Sequence, residues 1–237
     1  MTQANTWSVL DHGPLRQLAD NLWWVDGALP RMSLRRCMTV ARASDGRLVI
    51  HNAIALNEAG MAELLALGEP SWLLVPNGYH RLDAPAYKKR FPALRVLAPR
   101  GSRAKVAEVV AVDGSYDDFS DDGAVILEHL PAVGEREGLM RVRSNDGITI
   151  VLNDIVFNMD KKRDLLGYLF TTMMGSAPGP RVSRLAKMAL VKDKKVLRQK
   201  LEALAETPDL IRLIVAHEKV ASGADAAFAL RRAATYL

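Results

Sequence analysis

The order of strand-like and helix-like segments is the feature that most limits the folds open to this chain. Two β-rich runs, residues 38–43 and 47–51, are joined by Ser44-Asp45-Gly46, and Asp-Gly between such runs is a strong hairpin signal. Short apolar strands then alternate with helices, and a second hairpin is predicted around Asn145-Asp146-Gly147. This order predicts an α/β protein with mixed sheets and helices packed outside them.

Local signals place the individual elements. Asn57 is predicted to cap a helix in which Met61, Leu64 and Leu65 share one apolar face, and Gly68 is predicted to end it. We predict further strands over 22–25, 72–75, 95–98, 125–130, 139–143, 149–152 and 210–216. We predict further helices over 85–91, 104–110, 161–205 with a break at 176–180, and 223–236.

Length and composition favour one ordinary globular domain. The chain has 237 residues, of which 49% are hydrophobic and 25% charged, and we expect a single domain over 1–237. Cys37 is the only cysteine, which excludes an internal disulfide and a cysteine-rich zinc site. The N-terminal stretch has neither the basic nor the apolar region of a signal peptide. We therefore expect a soluble, cytoplasmic protein.

Four polar side chains that can bind a metal follow three apolar strands. His80 and Asp83 come after the strand at 72–75, Asp154 after the strand at 149–152, and His217 after the strand at 210–216. In open α/β sheets, ligands bind outside the carboxyl ends of the strands. These residues would form a nitrogen and oxygen site of the kind that zinc, iron or manganese occupies. The alternative is that each one only caps a turn.

Other motif classes are absent from the sequence. It contains no Gly-x-Gly-x-x-Gly or Gly-x-x-x-x-Gly-Lys-Ser/Thr motif for phosphate binding, and no Gly-x-Ser-x-Gly motif for a hydrolase serine. Among the remaining histidines, His51 ends a strand and is predicted to have a hydrogen-bonded structural role. His12 and His129 are assigned no function.

Several segments, taken in order, resemble the metallo-β-lactamase superfamily, and within it a domain-of-unknown-function branch with degenerate metal-binding motifs. The resemblance covers nearly the whole chain and depends on the segments 48–56, 75–80, 152–158 and 215–218. It implies a four-layer αββα sandwich with mixed sheets, in which metals bind at the edge of the two sheets.

The resemblance also shows which ligands this chain lacks. The hallmark of the superfamily is His-x-His-x-Asp-His after a strand. Here Gly78 takes the place of the first histidine, His80 matches the second, Leu82 takes the place of the aspartate, and Asp83 takes the place of the last histidine. Leucine can neither bind a metal nor act as a base, so a two-metal centre is not expected.

The rest of the motif set is also incomplete. Asp154 matches the bridging aspartate and His217 the final histidine, but residues 131–135 contain no histidine where the superfamily has one. Glu218 stands where the superfamily usually has glycine, which calls the backbone geometry there into question. The resemblance thus implies that His80, Asp83, Asp154 and His217 are the candidate ligands of one zinc, iron or manganese ion, or of no metal.

Three functions remain open at this point. The first is a protein that binds one metal or a small molecule at the sheet edge. The second is a non-catalytic structural or interaction module that keeps only the fold. The third is a one-metal hydrolase of an ester or thioester-like substrate. The physiological small molecule, the oligomeric state and the reaction are not encoded in any motif.

Charge is concentrated in one segment. Residues 181–200 contain eight lysines and arginines and one acid, Asp193, whereas the whole chain carries a net charge of +5. A basic amphipathic helix in this segment predicts weak peripheral contact with an anionic membrane. The alternative is a helix that packs on the core and exposes its charged face. The segment has no interleaved aromatic residues, so specific nucleic-acid binding is not expected.

Overall fold

The computed structural model describes residues 6–237 and contains two mixed sheets. The first sheet has six strands in sequence order, of which the first four are antiparallel, while β4, β5 and β6 run parallel. These strands are β1 (Arg16–Ala19), β2 (Leu22–Leu29), β3 (Met32–Arg42), β4 (Leu48–His51), β5 (Pro70–Leu74) and β6 (Arg95–Leu97). The predicted hairpin around Asp45-Gly46 joins β3 to β4 and is confirmed.

The second sheet has five strands in the order β11-β10-β9-β8-β7. These are β7 (Val125–His129), β8 (Gly138–Ser144), β9 (Gly147–Val151), β10 (Leu210–Ile214) and β11 (Ala221–Ser222). The second predicted hairpin joins β8 to β9, and β10 adds to β9 in parallel. The chain leaves both β9 and β10 at the same edge of this sheet.

Helices cover the outer faces of both sheets. They are α1 (Glu58–Leu67), α2 (Ala84–Arg90), α3 (Arg103–Ala107), α4 (Leu165–Tyr168), α5 (Arg184–Ala189), α6 (Lys194–Ala205) and α7 (Ala224–Ala234). A single π-helical segment, Leu169–Met173, continues α4. The two or three helices predicted between 161 and 205, with a break at 176–180, correspond to α4 with this π-helical segment, α5 and α6.

Three apolar cores correspond to the three interfaces of a four-layer sandwich. One lies between the first sheet and helices α1 to α3, where Met61 and Tyr87 are buried. A second lies between the two sheets and includes Trp24 of β2 and Met140 of β8. The third lies between the second sheet and helices α5 to α7, and includes Leu201. The predicted αββα architecture with mixed sheets is confirmed.

Local packing explains where the sequence predictions held and where they failed. Asn57 caps α1 by accepting a hydrogen bond from the Gly60 amide at 2.8 Å, as predicted. Met61 and Leu64 are buried, but Leu65 is 42% exposed and does not share their face. Strand β1 was not predicted. The strand predicted from residue 38 begins earlier, at Met32, because the charged pair Arg35-Arg36 interrupts the apolar pattern of β3.

Cys37, the lengths of the helices and the N-terminus were each considered in the sequence. Cys37 is buried, and burial raises the pKa of its thiol to about 12. No helix among residues 6–237 is both long and apolar enough to span a membrane. The N-terminal stretch examined for a signal peptide includes residues 1–5, which lie outside the described residues.

Candidate metal site

Three polar side chains meet where strands of both sheets end. His80 follows β5 of the first sheet, whereas Asp154 and His217 follow the parallel neighbours β9 and β10 of the second. One ligand atom from each residue lies within 4.8 Å of the other two. The structure therefore brings together three of the four residues singled out in the sequence.

Asp154 stands between the two histidines. Its Oδ1 lies 3.0 Å from Nε2 of His80 and 3.5 Å from Nε2 of His217. Burial opposes ionisation of the carboxyl group, but the charges and hydrogen bonds of both histidines outweigh it and hold the pKa of Asp154 well below its usual range. The Asp154 side chain is therefore a carboxylate at neutral pH.

The other ring nitrogen of each histidine is held in place. Nδ1 of His217 donates to the backbone oxygen of Arg35 at 2.8 Å. The amide nitrogen of Asn52 donates to the Cys37 oxygen at 2.7 Å, which turns its Oδ1 toward Nδ1 of His80 at 3.3 Å. Both Nδ1 atoms thus act as donors, so each Nε2 faces Asp154, where it carries a proton toward the carboxylate or offers its lone pair to a cation that replaces that proton. Metal-binding histidines are held in this way by their surroundings.

Asn77 and Glu137 connect the loops that carry His80 and Asp154. Oδ1 of Asn77 accepts hydrogen bonds from the amide of His80 at 3.0 Å and from that of Tyr79 at 2.8 Å. Its Nδ2 donates to Oδ2 of Asp154 at 2.7 Å and to Oε2 of Glu137 at 3.4 Å. Asn77 therefore fixes the loop from one sheet against the ligand from the other.

The Glu137 side chain supports the loop after β9. It is fully buried and accepts hydrogen bonds from the amides of Asn153 at 2.8 Å, Asp154 at 2.9 Å and Ile155 at 3.2 Å. Burial and the neighbouring Asp154 carboxylate raise the pKa of Glu137 to about 8, although the three amides favour its ionised form. Glu137 is a positioning residue, because it holds the backbone that presents Asp154.

Asp83 does not join this group. Its carboxylate forms a buried ion pair with the Arg36 guanidinium and accepts a hydrogen bond from the Ala55 amide at 2.8 Å. It occupies the N-cap position of α2, which turns the chain away from the His80 loop. The sequence position of Asp83 suggested a ligand, but the structure places it in the ion pair that joins α2 to the buried Arg36 of β3.

An apolar cavity of about 310 Å³ opens beside the three residues. Phe157 stacks on the His217 ring with centroids 5.7 Å apart, and Phe170 meets the edge of Phe157 at 5.6 Å. The remaining wall is formed mainly by aliphatic side chains, among them Leu29, Met32, Leu34, Leu185 and Leu190. The polar group of His80, Asp154 and His217 thus forms one side of a space suited to an apolar molecule.

Two of the three separations between the ligand atoms are close to the spacing that one zinc-like ion requires, and the third lies within 4.8 Å. Two ligands about 2.05 Å from a tetrahedral ion are separated by roughly 3.3 Å. The separations of 3.0 and 3.5 Å from Asp154 Oδ1 to the two Nε2 atoms lie on either side of that value. His80 Nε2, Asp154 and His217 Nε2 would hold the ion, and three ligands leave one position open.

Comparison with known structures agrees with this architecture. A DIM-1 metallo-β-lactamase matches with a TM-score of 0.62 and 11% identity, over 95% of this chain and 98% of that one. This chain has the metallo-β-lactamase fold. An enzyme of that name from Erythrobacter litoralis matches with a TM-score of 0.61 and 13% identity, over 94% of this chain and 96% of the other. No family model and no curated protein sequence matches the chain.

Gly78 and Leu82, which flank His80 in the loop after β5, offer no ligand to the group. A side chain at Gly78 would meet Cγ of Lys105 at 2.7 Å, so a histidine there requires Lys105 to move. Leu82 is 45% exposed and lines the cavity instead of offering a carboxylate. His80 is therefore the one residue of this loop in the group.

Two further segments singled out in the sequence have left-handed backbone conformations. The connection at 131–135 forms a 3₁₀ turn that ends at Gly134 in the left-handed region, with φ 61°. Glu218 has φ 63°, so the backbone keeps a glycine-like conformation despite its side chain. An ion pair with Lys162 and a hydrogen bond from the Asp160 amide at 3.3 Å hold the Glu218 carboxylate.

Other histidines lie outside the group. His51 is buried, its Nε2 has no hydrogen-bond partner among residues 6–237, and burial together with His80 lowers its pKa to about 3. His129 pairs with Asp117 at 2.9 Å. His12 accepts a hydrogen bond from the Asn57 amide at 3.0 Å. His129 therefore provides a histidine control for tests of the site.

The position of Asp83 yields a test of whether it is structural. Replacing Asp83 with Asn removes the charge that pairs with buried Arg36, and we expect the free energy of unfolding to fall by about 3 kcal/mol. Urea denaturation measures the change, and metal binding by the folded variant should be unaffected. Unchanged stability with loss of a bound metal would instead identify Asp83 as a ligand.

Proposed function

We propose that the protein binds one divalent transition-metal ion through His80, Asp154 and His217, beside a cavity that accepts a small, mainly apolar molecule. One observation carries the proposal: both histidines donate from Nδ1 to fixed oxygens and aim Nε2 at the same Asp154 oxygen. Imidazole nitrogens with one carboxylate suit zinc, iron and related ions. Zinc is the first candidate.

The structural-module alternative explains the polar group less well. Without a cation, the two Nε2 lone pairs face a carboxylate in a partly buried position, which is unfavourable unless the rings are protonated. A purely structural role would also have no need for the apolar cavity beside the group. The supporting oxygens of Asn52 and Arg35 hold the rings in the orientation that a cation requires.

Metal analysis tests the proposal directly. Protein purified without an affinity tag and loaded with zinc should retain one ion per chain, measured by mass spectrometry and by calorimetric titration. His80→Ala and His217→Ala should each weaken binding at least about tenfold, since each removes one of three ligands. The control His129→Ala should bind zinc normally.

Two results would contradict this assignment. Retention of two ions per chain would mean that residues other than these three complete a second site. Equal zinc affinity for the unaltered protein and both histidine variants would mean that zinc binds elsewhere. In the second case the structural module would become the better explanation of the fold.

The cavity favours a second, more specific candidate, namely hydrolysis of an ester or thioester with an apolar group. A bound divalent ion polarises a carbonyl oxygen and lowers the pKa of water. Phe157, Phe170 and Leu190 would seat the apolar part of the substrate, while His80, Asp154 and His217 hold the ion at the cavity wall. Neither Gly78 nor Leu82 supplies a base, so we expect modest rates.

Short-chain aryl esters and acyl thioesters are suitable probes for this candidate. Zinc-loaded protein should hydrolyse at least one of them, and Asp154→Asn should lower kcat/KM about 100-fold or more by removing the anionic ligand. Phe170→Ala should mainly raise KM, because Phe170 contacts only the apolar part of the substrate. Equal rates for the unaltered protein and His80→Ala would show that the activity is background.

A further inference from the structure

Exposed apolar side chains are concentrated in one part of the surface. Among residues 6–237, thirteen large apolar side chains are exposed, and seven of them lie between residues 165 and 188. Leu165 is 82% exposed and Met188 is 87% exposed. We call these seven side chains the apolar surface: Leu165, Leu166, Tyr168, Leu169, Met173, Leu185 and Met188.

The apolar surface is continuous with the cavity mouth. The backbone oxygen of Met174 accepts hydrogen bonds from the amides of Arg184 at 3.0 Å and Leu185 at 3.4 Å, which brings α5 against the end of the π-helical segment. Leu185 belongs to the apolar surface and also lines the cavity, as does Phe170 between Leu169 and Met173. The apolar surface and the apolar wall of the cavity therefore adjoin at Leu185.

Positive charge is concentrated in the same part of the chain. Residues 161–200 contain eleven lysines and arginines and two aspartates, while the rest of the chain carries a net charge of −4. Of these eleven cationic residues, only Lys162 and Lys200 form ion pairs with an Asp or Glu side chain of the described residues. Seven of the others are exposed: Lys161, Arg163, Arg184, Lys192, Lys194, Lys195 and Arg198.

We propose that the apolar surface docks on an anionic lipid bilayer. Side chains such as Leu165 and Met188 would enter the interface between headgroups and acyl chains, and the surrounding lysines and arginines would meet anionic headgroups. Patches of this kind on a protein surface mark contact sites. A bilayer satisfies the apolar and the positive parts of the surface together.

Other occupants satisfy only one part of it. A second copy of the chain would cover the apolar side chains but would oppose two strongly basic segments, which is unfavourable. A nucleic acid would neutralise the charge but would leave Leu165 and Met188 without an apolar partner, because phosphate groups dominate its surface. Charge complementarity therefore favours anionic lipid.

Vesicle sedimentation of the full chain tests the inference. At low salt the protein should sediment with vesicles of mixed phosphatidylcholine and phosphatidylglycerol but not with phosphatidylcholine alone, and raised salt should release it. The double variant Leu165→Ser, Met188→Ser should weaken binding roughly tenfold or more, because two apolar side chains no longer enter the interface. Arg163→Glu with Lys195→Glu should also weaken it.

Matched controls separate this inference from the proposed metal site. Phe228→Ser on α7 and Lys89→Glu on α2 alter an exposed apolar and an exposed basic residue elsewhere, and both should bind vesicles normally. His80→Ala should also bind vesicles, since docking does not depend on the metal. Equal recovery in the supernatant with neutral and anionic vesicles would overturn the inference. So would a dimer that dissociates in the Leu165→Ser, Met188→Ser variant, because the occupant would then be a second copy.

Discussion

The hydrogen bonds of Asn77 and Glu137 are the constraint on which the rest of the site depends. Asn77 joins the loop after β5 to Asp154, and Glu137 satisfies three consecutive backbone amides after β9. Without Glu137 these amides would remain buried and unpaired, at a cost of about 1–3 kcal/mol each. These hydrogen bonds fix the loops of the two sheets against each other at their shared edge. The side chains of His80 and Asp154 are therefore held in place without a metal.

This preorganisation extends to the histidine rings. Arg35 and Cys37 lie on β3, a strand of the first sheet, yet their backbone oxygens orient His217 and Asn52. The amide of Cys37 also donates to the Ala216 oxygen at 2.7 Å, beside His217 itself. Strand β3 therefore links the loop after β10 of the second sheet to the first sheet. Ligands held by such surrounding bonds bind a metal with little rearrangement.

Parts of this arrangement were predictable from the sequence for a definite reason. Strands of both sheets end at one edge of the sandwich, so polar residues after the apolar runs had to converge, and His80, Asp154 and His217 did. Asn77 escaped prediction because its partner Asp154 belongs to the other sheet, and Glu137 because the amides that it binds are 16 to 18 residues away in sequence. No local pattern records such contacts. Asp83 was misplaced because only the fold reveals that Arg36, distant in sequence, is buried beside it.

The residues on either side of His80 shape the group and the cavity together. Gly78 makes room for Lys105, and Leu82 lines the cavity, so neither offers a ligand to the group. Leu82 instead adds apolar surface to the cavity that Phe157 and Phe170 also line. A single ion beside an apolar cavity fits these residues better than a pair of ions with a bridging carboxylate, which would need more ligands than the group of three supplies.

X-ray absorption at the zinc edge is the most direct measurement of the central claim, that one ion is held by two imidazoles and one carboxylate. The account predicts two nitrogen ligands and one protein oxygen at about 2.0–2.2 Å, with imidazole scattering that decreases in His217→Ala. A second zinc about 3.5–4 Å away would contradict it. A shell of oxygen ligands without imidazole scattering would contradict it as well.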